Sequence, residues 1–92
     1  MIGSFRDEET HSIFMRKPSR RYGSLARIIL TKLLQMDAAV SLETLRFPPG
    51  NRLEALRGNR AGQHSIRVND QFRICFRWKD QHAYDIEVAD YH

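Results

Sequence analysis

The chain has 92 residues, of which 41% are hydrophobic, so it has room for one small domain over residues 1–92 and not for a second core. Its one cysteine, Cys75, excludes an internal disulfide, and no apolar run has the length of a leader or a membrane span, so we expect a cytoplasmic protein with no membrane partner. The net charge is +4, and twelve of the fifteen cations are arginine, whose planar fork of donors matches phosphate. This bias predicts a polyanionic partner.

The first half of the chain has helical spacing. Residues 2–5 alternate briefly and fit an edge strand, and acidic residues then open a first helix, predicted over residues 7–16. Apolar residues recur every three or four positions over residues 24–39, where the first serine is a candidate N-cap, and this pattern predicts the longest helix. A short serine-capped turn is expected over residues 41–45, before Pro48-Pro49 stops helical structure.

After Gly50 the apolar period changes from about four to two, which predicts strands. Residues 64–68 and 72–78 alternate on either side of Asn69-Asp70, and we expect a hairpin with a two-residue loop there. A last strand is predicted over residues 84–90, and residues 53–57 supply a candidate further strand. Helices followed by such a meander give an α+β fold, with the N-terminal helices packed on one face of a small antiparallel sheet.

The other face of this sheet is expected to be open to solvent. The strand period places Gln71, Arg73 and Arg77 on it, a set of donors suited to a phosphate chain. Cys75 has the same strand parity, so its side chain is a candidate for exposure on this face. No base is identifiable beside it, and we therefore interpret it as a small packing residue rather than a nucleophile.

Two places have the residue types that proton transfer and phosphate binding need. Arg73 lies in mid-strand, where a stiff backbone holds the guanidinium, and Arg57 is the next candidate; simple solvation of either side chain is the competing interpretation. Tyr91 and His92 follow directly on a strong strand, and imidazole exchanges protons near pH 7, whereas the competing interpretation is a frayed end. No cluster of metal ligands is visible, so we expect neither a metal nor a cofactor.

The charges are unevenly distributed in the second half of the chain. Residues 52–79 hold seven cations against Glu54 and Asp70, whereas residues 80–92 hold four acids and no lysine or arginine. The sequence therefore predicts a basic patch beside an acidic strip.

The run LRGNRAG, the run SIRVNDQFRICFRW that follows it, and the closing DYH together resemble the HigB toxins of the RelE superfamily. The resemblance extends over nearly the whole chain and implies a RelE-like microbial ribonuclease fold. It also implies a bacterial type II toxin that cuts mRNA on the 70S ribosome and is neutralised by a HigA-type antitoxin with a helix-turn-helix. Operator DNA is then a partner only through the antitoxin.

The family chemistry implied here is metal-free. The ribose 2′-oxygen attacks the adjacent phosphorus, which requires a base, a cation for the phosphorane and an acid for the leaving oxygen. By position, Arg73 corresponds to the phosphate clamp and His92 to a proton-transfer group, with the base left open between Glu54 and His92. The catalytic candidates are Arg73, His92, Tyr91, Gln71, Arg57 and Glu54, and the candidates for RNA and ribosome contacts are Arg52, Arg60, Arg67 and Arg77.

A non-catalytic interpretation stays open beside the nuclease. A protein of this fold can poison a target by binding alone, as superfamily relatives that act on DNA gyrase do, or can retain nothing but antitoxin binding. The presence of Arg73 together with Tyr91 and His92 favours the nuclease.

Overall fold

Both predicted helices are present in a computed structural model of the chain, which describes residues 1–90. Helix α1 spans Glu8–Phe14 and helix α2 spans Leu25–Ala38. Ile29, Leu33 and Met36 of the predicted apolar stripe of α2 are fully buried in the core, whereas Leu25 is half-buried and Ile28 is exposed. Ser24 occupies the N-cap position of α2, but its side chain makes no capping hydrogen bond. The serine was thus correctly placed and wrongly expected to cap.

Three short 3₁₀ turns follow α2 in the chain, and the first two connect it to the sheet. The first, Leu42–Arg46, is the turn expected after Ser41, but the Ser41 side chain makes no capping hydrogen bond, so the expected cap is wrong. The second, Pro49–Asn51, begins inside the proline pair, so the expectation that Pro48-Pro49 ends all helical structure is wrong; proline at the first position of a helical turn loses no intrahelical hydrogen bond. The third, Gly58–Arg60, lies in the connection that precedes the central strands.

The sheet is a four-stranded antiparallel meander in which each strand pairs with the next one along the chain. Its register aligns Ile66 with Ile74 and Ile74 with Val88, so the apolar side chains of three strands point to the same face. The first strand is shorter than the predicted 53–57. The strands are β1 Glu54–Ala55, β2 His64–Arg67, β3 Phe72–Lys79 and β4 His82–Asp90.

The connection between β2 and β3 differs from the expected two-residue loop. Strand β2 ends at Arg67 and β3 begins at Phe72, so four residues join them. The side-chain oxygen of Asn69 accepts hydrogen bonds from the backbone N–H groups of Gln71 and Phe72, at 3.0 and 2.7 Å. This Asx turn lengthens the connection and keeps the predicted strand parity.

Residues 2–5 follow the outer edge of β4. Ile2 bridges Ala83 and Phe5 bridges Ile86, both in parallel orientation. The predicted edge strand is therefore present as two isolated bridges, and it covers part of the last strand.

The core lies between the helices and the apolar face of the sheet. The predicted α+β layering, with the N-terminal helices on one sheet face, is confirmed. No helix within residues 1–90 is long and apolar enough to cross a membrane. The largest side chains that are fully removed from solvent include Ile29, Leu33, Met36, Ile66, Ile74, Phe76 and Ile86.

Candidate active site

Arg73 is the most strongly held of the predicted site residues. It lies in β3, and its side chain is 12% exposed. Its Nε donates to the hydroxyl of Ser65 at 2.7 Å, and its Nη2 donates to the backbone carbonyl of Arg52 at 2.6 Å. The same Nη2 lies 3.5 Å from Oε1 of Glu54. These contacts fix the plane of the guanidinium and leave Nη1 without a hydrogen bond to any residue of the described part of the chain.

The carbonyl that holds Arg73 is presented by an unusual backbone conformation. Arg52 has φ +46° and ψ +57°, in the left-handed region. The turn before it is fixed by Asn51, which is fully buried and whose Nδ2 donates to Gln35 Oε1 and to the carbonyls of Leu45 and Phe47, at 3.2 to 3.3 Å. Helix α2 thereby fixes the turn whose next residue supports the arginine.

Glu54 and Arg57 lie at the open edge of the sheet. They line a shallow groove of about 590 Å³ together with Ala55 and Leu56. Glu54, whose side chain is 53% exposed, is brought to Arg73 by the antiparallel pairing of β1 with β2. Arg57 is exposed and shares the groove with Glu54, but it is not brought to Arg73.

Gln71 connects the start of β3 to the end of β4. Its Nε2 donates to Oδ2 of Asp90 at 3.0 Å. Tyr91 and His92 come next in the chain and lie outside the described residues. The structure thus places Gln71 beside the residue that precedes this predicted pair.

The predicted open cationic face is partly covered, so that expectation is wrong. Ser65 and Cys75 are fully buried on the same face as Arg73. Arg60 reaches over this face and pairs with Oε1 of Glu87 at 3.2 Å, while its Nη1 donates to Gln63 at 3.1 Å. The connection between β1 and β2 therefore covers the middle of the face.

Two further predicted RNA contacts, Arg67 and Arg77, are paired with acids. Arg67 pairs with Asp70, and Arg77 pairs with Asp85 at 3.7 Å, toward the other end of β3. Arg60 and Arg77, two cations of the predicted basic patch, lie beside Glu87 and Asp85 of the predicted acidic strip and are neutralised by them. Arg52 alone of the predicted RNA contacts is exposed without an ion pair within residues 1–90.

Cys75 is not exposed, contrary to the parity argument. Burial raises the pKa of its thiol, with nearby Glu87 adding to the rise and Arg60 and Arg73 opposing it. A neutral buried thiol is a poor nucleophile, so the interpretation as a small filler fits the structure. Within residues 1–90 no group of three or more His, Cys, Asp or Glu side chains gathers as metal ligands.

Two residues that support Arg73, Ser65 by direct contact and Asn51 through the turn before Arg52, were not found from the sequence. Ser65 and Arg73 have the same strand parity across the predicted hairpin. Their contact could therefore have been predicted from the sequence. Asn51 gave no such signal, because it acts through a turn whose conformation the sequence pattern does not encode. Together these contacts form a preorganised arginine beside a carboxylate, an arrangement that can bind one phosphate and accept one proton.

A family model matches nearly the whole chain, and known relatives match most of it. A family model described as a RelE-like toxin of the type II toxin–antitoxin system HigB matches residues 3–92. The chain is 42% identical over 76 residues to Toxin HigB-1 from Vibrio cholerae serotype O1, covering 83% of this chain and 73% of the relative. It is 34% identical over 87 residues to an uncharacterized protein from Haemophilus influenzae, covering 85% of this chain and 79% of that one.

Solved structures share the fold at low identity. A YoeB–YefM complex from Staphylococcus aureus matches with a TM-score of 0.61 at 15% identity, over 100% of this chain and 98% of that chain. A YafQ mutant from E. coli matches with a TM-score of 0.60 at 11% identity, over 98% and 93% of the two chains. The fold and family expected from the sequence are thus confirmed, and the protein belongs to the HigB-like family, the RelE-like toxins of type II toxin–antitoxin systems.

Proposed function

We propose that this toxin is an endoribonuclease that cuts mRNA on the ribosome, without a metal, and is neutralised by a HigA-type antitoxin with a helix-turn-helix. The observation that carries the proposal is the Arg73 guanidinium, whose orientation is fixed by Ser65 and by the carbonyl of Arg52. The family match and the toxin–antitoxin complexes with this fold support an antitoxin partner.

Arg73 stabilises the charge that develops on the phosphorane. Its Nε and Nη2 are held by the protein, so Nη1 can donate to a phosphate oxygen without reorganisation of the side chain. A preorganised donor of this kind lowers a transition state by about 3 kcal/mol.

Two proton transfers complete the reaction. Glu54, at the edge of the groove, accepts the proton of the 2′-hydroxyl, and the 2′-oxygen forms a bond to phosphorus as the bond from phosphorus to the 5′-oxygen breaks. His92 donates a proton to that leaving oxygen, so the products are a 2′,3′-cyclic phosphate and a 5′-hydroxyl. Gln71 holds Asp90, the residue that precedes Tyr91 and His92 in the chain.

Primer extension on mRNA in translating ribosomes tests the proposal. Arg73→Ala and His92→Ala should each lower the cleavage rate by about 10²-fold or more, while thermal melting and antitoxin pull-down are retained. Arg46→Ala is the matched control, because Arg46 pairs with Glu43 outside the site. Full cleavage by either site variant would remove that residue from the mechanism, and growth arrest by the wild type without any cleavage would favour a toxin that acts by binding alone.

A further inference from the structure

Lys32 is a titratable side chain that the proposed mechanism does not use. It lies in α2 and is half-buried, and its Nζ donates to Oδ1 of Asn51. Burial lowers the pKa of Lys32, and the nearby positive charge of Arg67 lowers it further. No carboxylate within residues 1–90 forms an ion pair with this ammonium. The protein therefore keeps a charge in partly desolvated, positive surroundings, and the partner that compensates it is an amide oxygen.

The acceptor of this hydrogen bond belongs to the side chain that holds the turn before Arg52. Asn51 is fully buried, and Lys32 donates to the oxygen at one end of its amide. Gln35, three residues further along α2, lies at the other end, where its Oε1 accepts from Nδ2 at 3.2 Å. An ammonium can only donate, so Lys32 fixes which end of the amide carries the oxygen. Nδ2 is thereby kept toward the backbone carbonyls of the turn.

The orientation of this amide is important because the next residue has a strained backbone. Arg52 has φ +46° and ψ +57°, a left-handed conformation that a residue other than glycine keeps only where its surroundings impose it. In this conformation its carbonyl accepts from Nη2 of Arg73 at 2.6 Å. A return of Arg52 to an extended or helical conformation would turn that carbonyl away from Arg73. The hydrogen bonds that hold the turn therefore also hold the guanidinium.

We propose that Lys32 is a positioning residue for the reaction, which acts through Asn51 on the turn that orients Arg73. The inference rests on the proposed function and deepens it by extending the site to a side chain of α2. Lys32 does not line the groove that contains Glu54 and Arg57, so it supports the chemistry without contacting the substrate. A charge-assisted hydrogen bond is about twice as strong as a neutral one, so an ammonium holds the amide more firmly than a neutral donor does.

Two competing roles for this lysine give different measurements. Direct binding of an RNA phosphate would make the loss of Lys32 raise the ribosome concentration that gives half the maximal rate. A purely structural role would lower the melting temperature and leave the rate of the folded protein unchanged. Positioning predicts a lower maximal rate at an unchanged half-saturating concentration. We argue for positioning because the hydrogen bond of Nζ is made to a buried amide.

The test compares Lys32→Met with Lys79→Met. Methionine has nearly the length of lysine but lacks its charge and its N–H donors, and Lys79 is an exposed lysine at the end of β3, so the control loses the same charge. Lys32→Arg keeps a cationic donor and tests rescue. Lys32→Gln, whose amide ends one bond short of the ammonium, is the second loss variant and replaces Lys32→Met if that variant does not fold. Single-turnover cleavage of mRNA is measured over a range of ribosome concentrations, below the melting temperature of each variant.

A second measurement follows Arg73 directly and needs no cleavage. The hydrogen bond from its Nη2 to the carbonyl of Arg52 slows rotation of the guanidinium, so the two Nη groups should give separate signals in nitrogen–proton correlation spectra. These signals are assigned by their loss in Arg73→Lys. We expect them to stay separate in the wild type, in Lys79→Met and in Lys32→Arg, and to merge in Lys32→Met and Lys32→Gln.

We expect both loss variants to lower the maximal single-turnover rate by about tenfold, with a half-saturating ribosome concentration within about twofold of that of Lys79→Met. Lys32→Arg should recover most of the rate. A maximal rate equal to that of the control in the loss variants would overturn the inference. A slower rate with separate Arg73 signals, or a defect confined to ribosome affinity, would overturn it as well.

The two measurements distinguish a failure of this inference from a failure of the nuclease. Cleavage by the wild type, together with an unchanged rate and unchanged Arg73 signals in the loss variants, refutes the positioning role and leaves the nuclease. Absence of cleavage by the wild type refutes the nuclease. The Arg73 signals then decide alone whether Lys32 orients the guanidinium.

Discussion

At the scale of single residues, the chemistry of the site depends on what holds Arg73. An exposed arginine samples many rotamers, and its donors reach a phosphate in few of them. In this toxin the buried hydroxyl of Ser65 accepts from Nε, so the guanidinium plane is set before any ligand binds. Ser65 does not face the groove itself and is therefore a positioning residue.

Ser65→Ala should lower the rate of cleavage of ribosome-bound mRNA by about tenfold, because the Arg73 plane loses its fixed partner. The mRNA-ribosome concentration that gives half the maximal rate should change little, since the charge of Arg73 remains. Ser65→Thr keeps the hydroxyl and should restore most of the rate. Single-turnover kinetics at saturating ribosomes measure this, and a wild-type rate in Ser65→Ala would contradict the positioning role.

The buried thiol of Cys75 predicts a dependence of stability on alkaline pH. Its pKa is raised in the folded protein, so its neutral form contributes stability that is fully present below about pH 8.5. This contribution is lost as pH rises from there toward the folded pKa, because the unfolded chain ionises first. Urea unfolding at several pH values should show a steeper alkaline loss in the wild type than in Cys75→Ala; identical slopes would contradict it.

At the scale of elements, the turn between α2 and β1 is the feature that the site requires. Asn51 replaces the missing regular hydrogen bonds of this turn by donating to two backbone carbonyls, those of Leu45 and Phe47. It also accepts from Nζ of Lys32, which ties the turn to the helix.

Asn51→Ala should destabilise the protein by about 3 kcal/mol, since it leaves buried carbonyls without donors. The same change should lower cleavage further than the loss of folded protein explains, because the carbonyl of Arg52 moves away from Arg73. Asn59→Ala is the control, an exposed asparagine in another 3₁₀ turn. Denaturant unfolding measures the first effect, and equal stability of the two variants would show that the network is dispensable.

The elements also show where sequence reasoning succeeds. Helix α2 was predictable because the residues that it buries lie on one face and therefore recur at helical spacing in the sequence. The β2–β3 connection was not, because the side chain of Asn69 competes with a two-residue turn. Burial of Cys75 and Ser65 was missed because the β1–β2 connection covers a face that alternation alone leaves open. The proposed role of His92 stays a prediction.

At the scale of the whole molecule, the site is shallow and one-sided. Glu54 is more than half exposed and lines an open groove, so the protein alone surrounds little of a bound nucleotide. Rate enhancement by positioning requires substrate to be held on several sides. We propose that the ribosome holds the substrate on the sides that the toxin leaves open.

Purified toxin should therefore cut free mRNA at least about 10²-fold more slowly than the same mRNA in programmed ribosomes. The comparison uses one transcript, one toxin concentration and primer extension on both samples, with Arg73→Ala as the blank. Fast, unselective digestion of the free transcript would show that the groove orients substrate without help.

The segment that runs beside β4 also affects how copies of the toxin meet in solution. Backbone groups of residues 1–6 pair with Ala83 and Ile86 along that strand, and the opposite edge, β1, is just two residues long. Few backbone groups at the edges of the sheet are therefore left unpaired, and these are the groups that could pair with a strand of a second copy. Removal of residues 1–6 would uncover the long edge of β4, and we expect such a protein to self-associate into sheet-rich aggregates at concentrations where the intact chain stays dispersed.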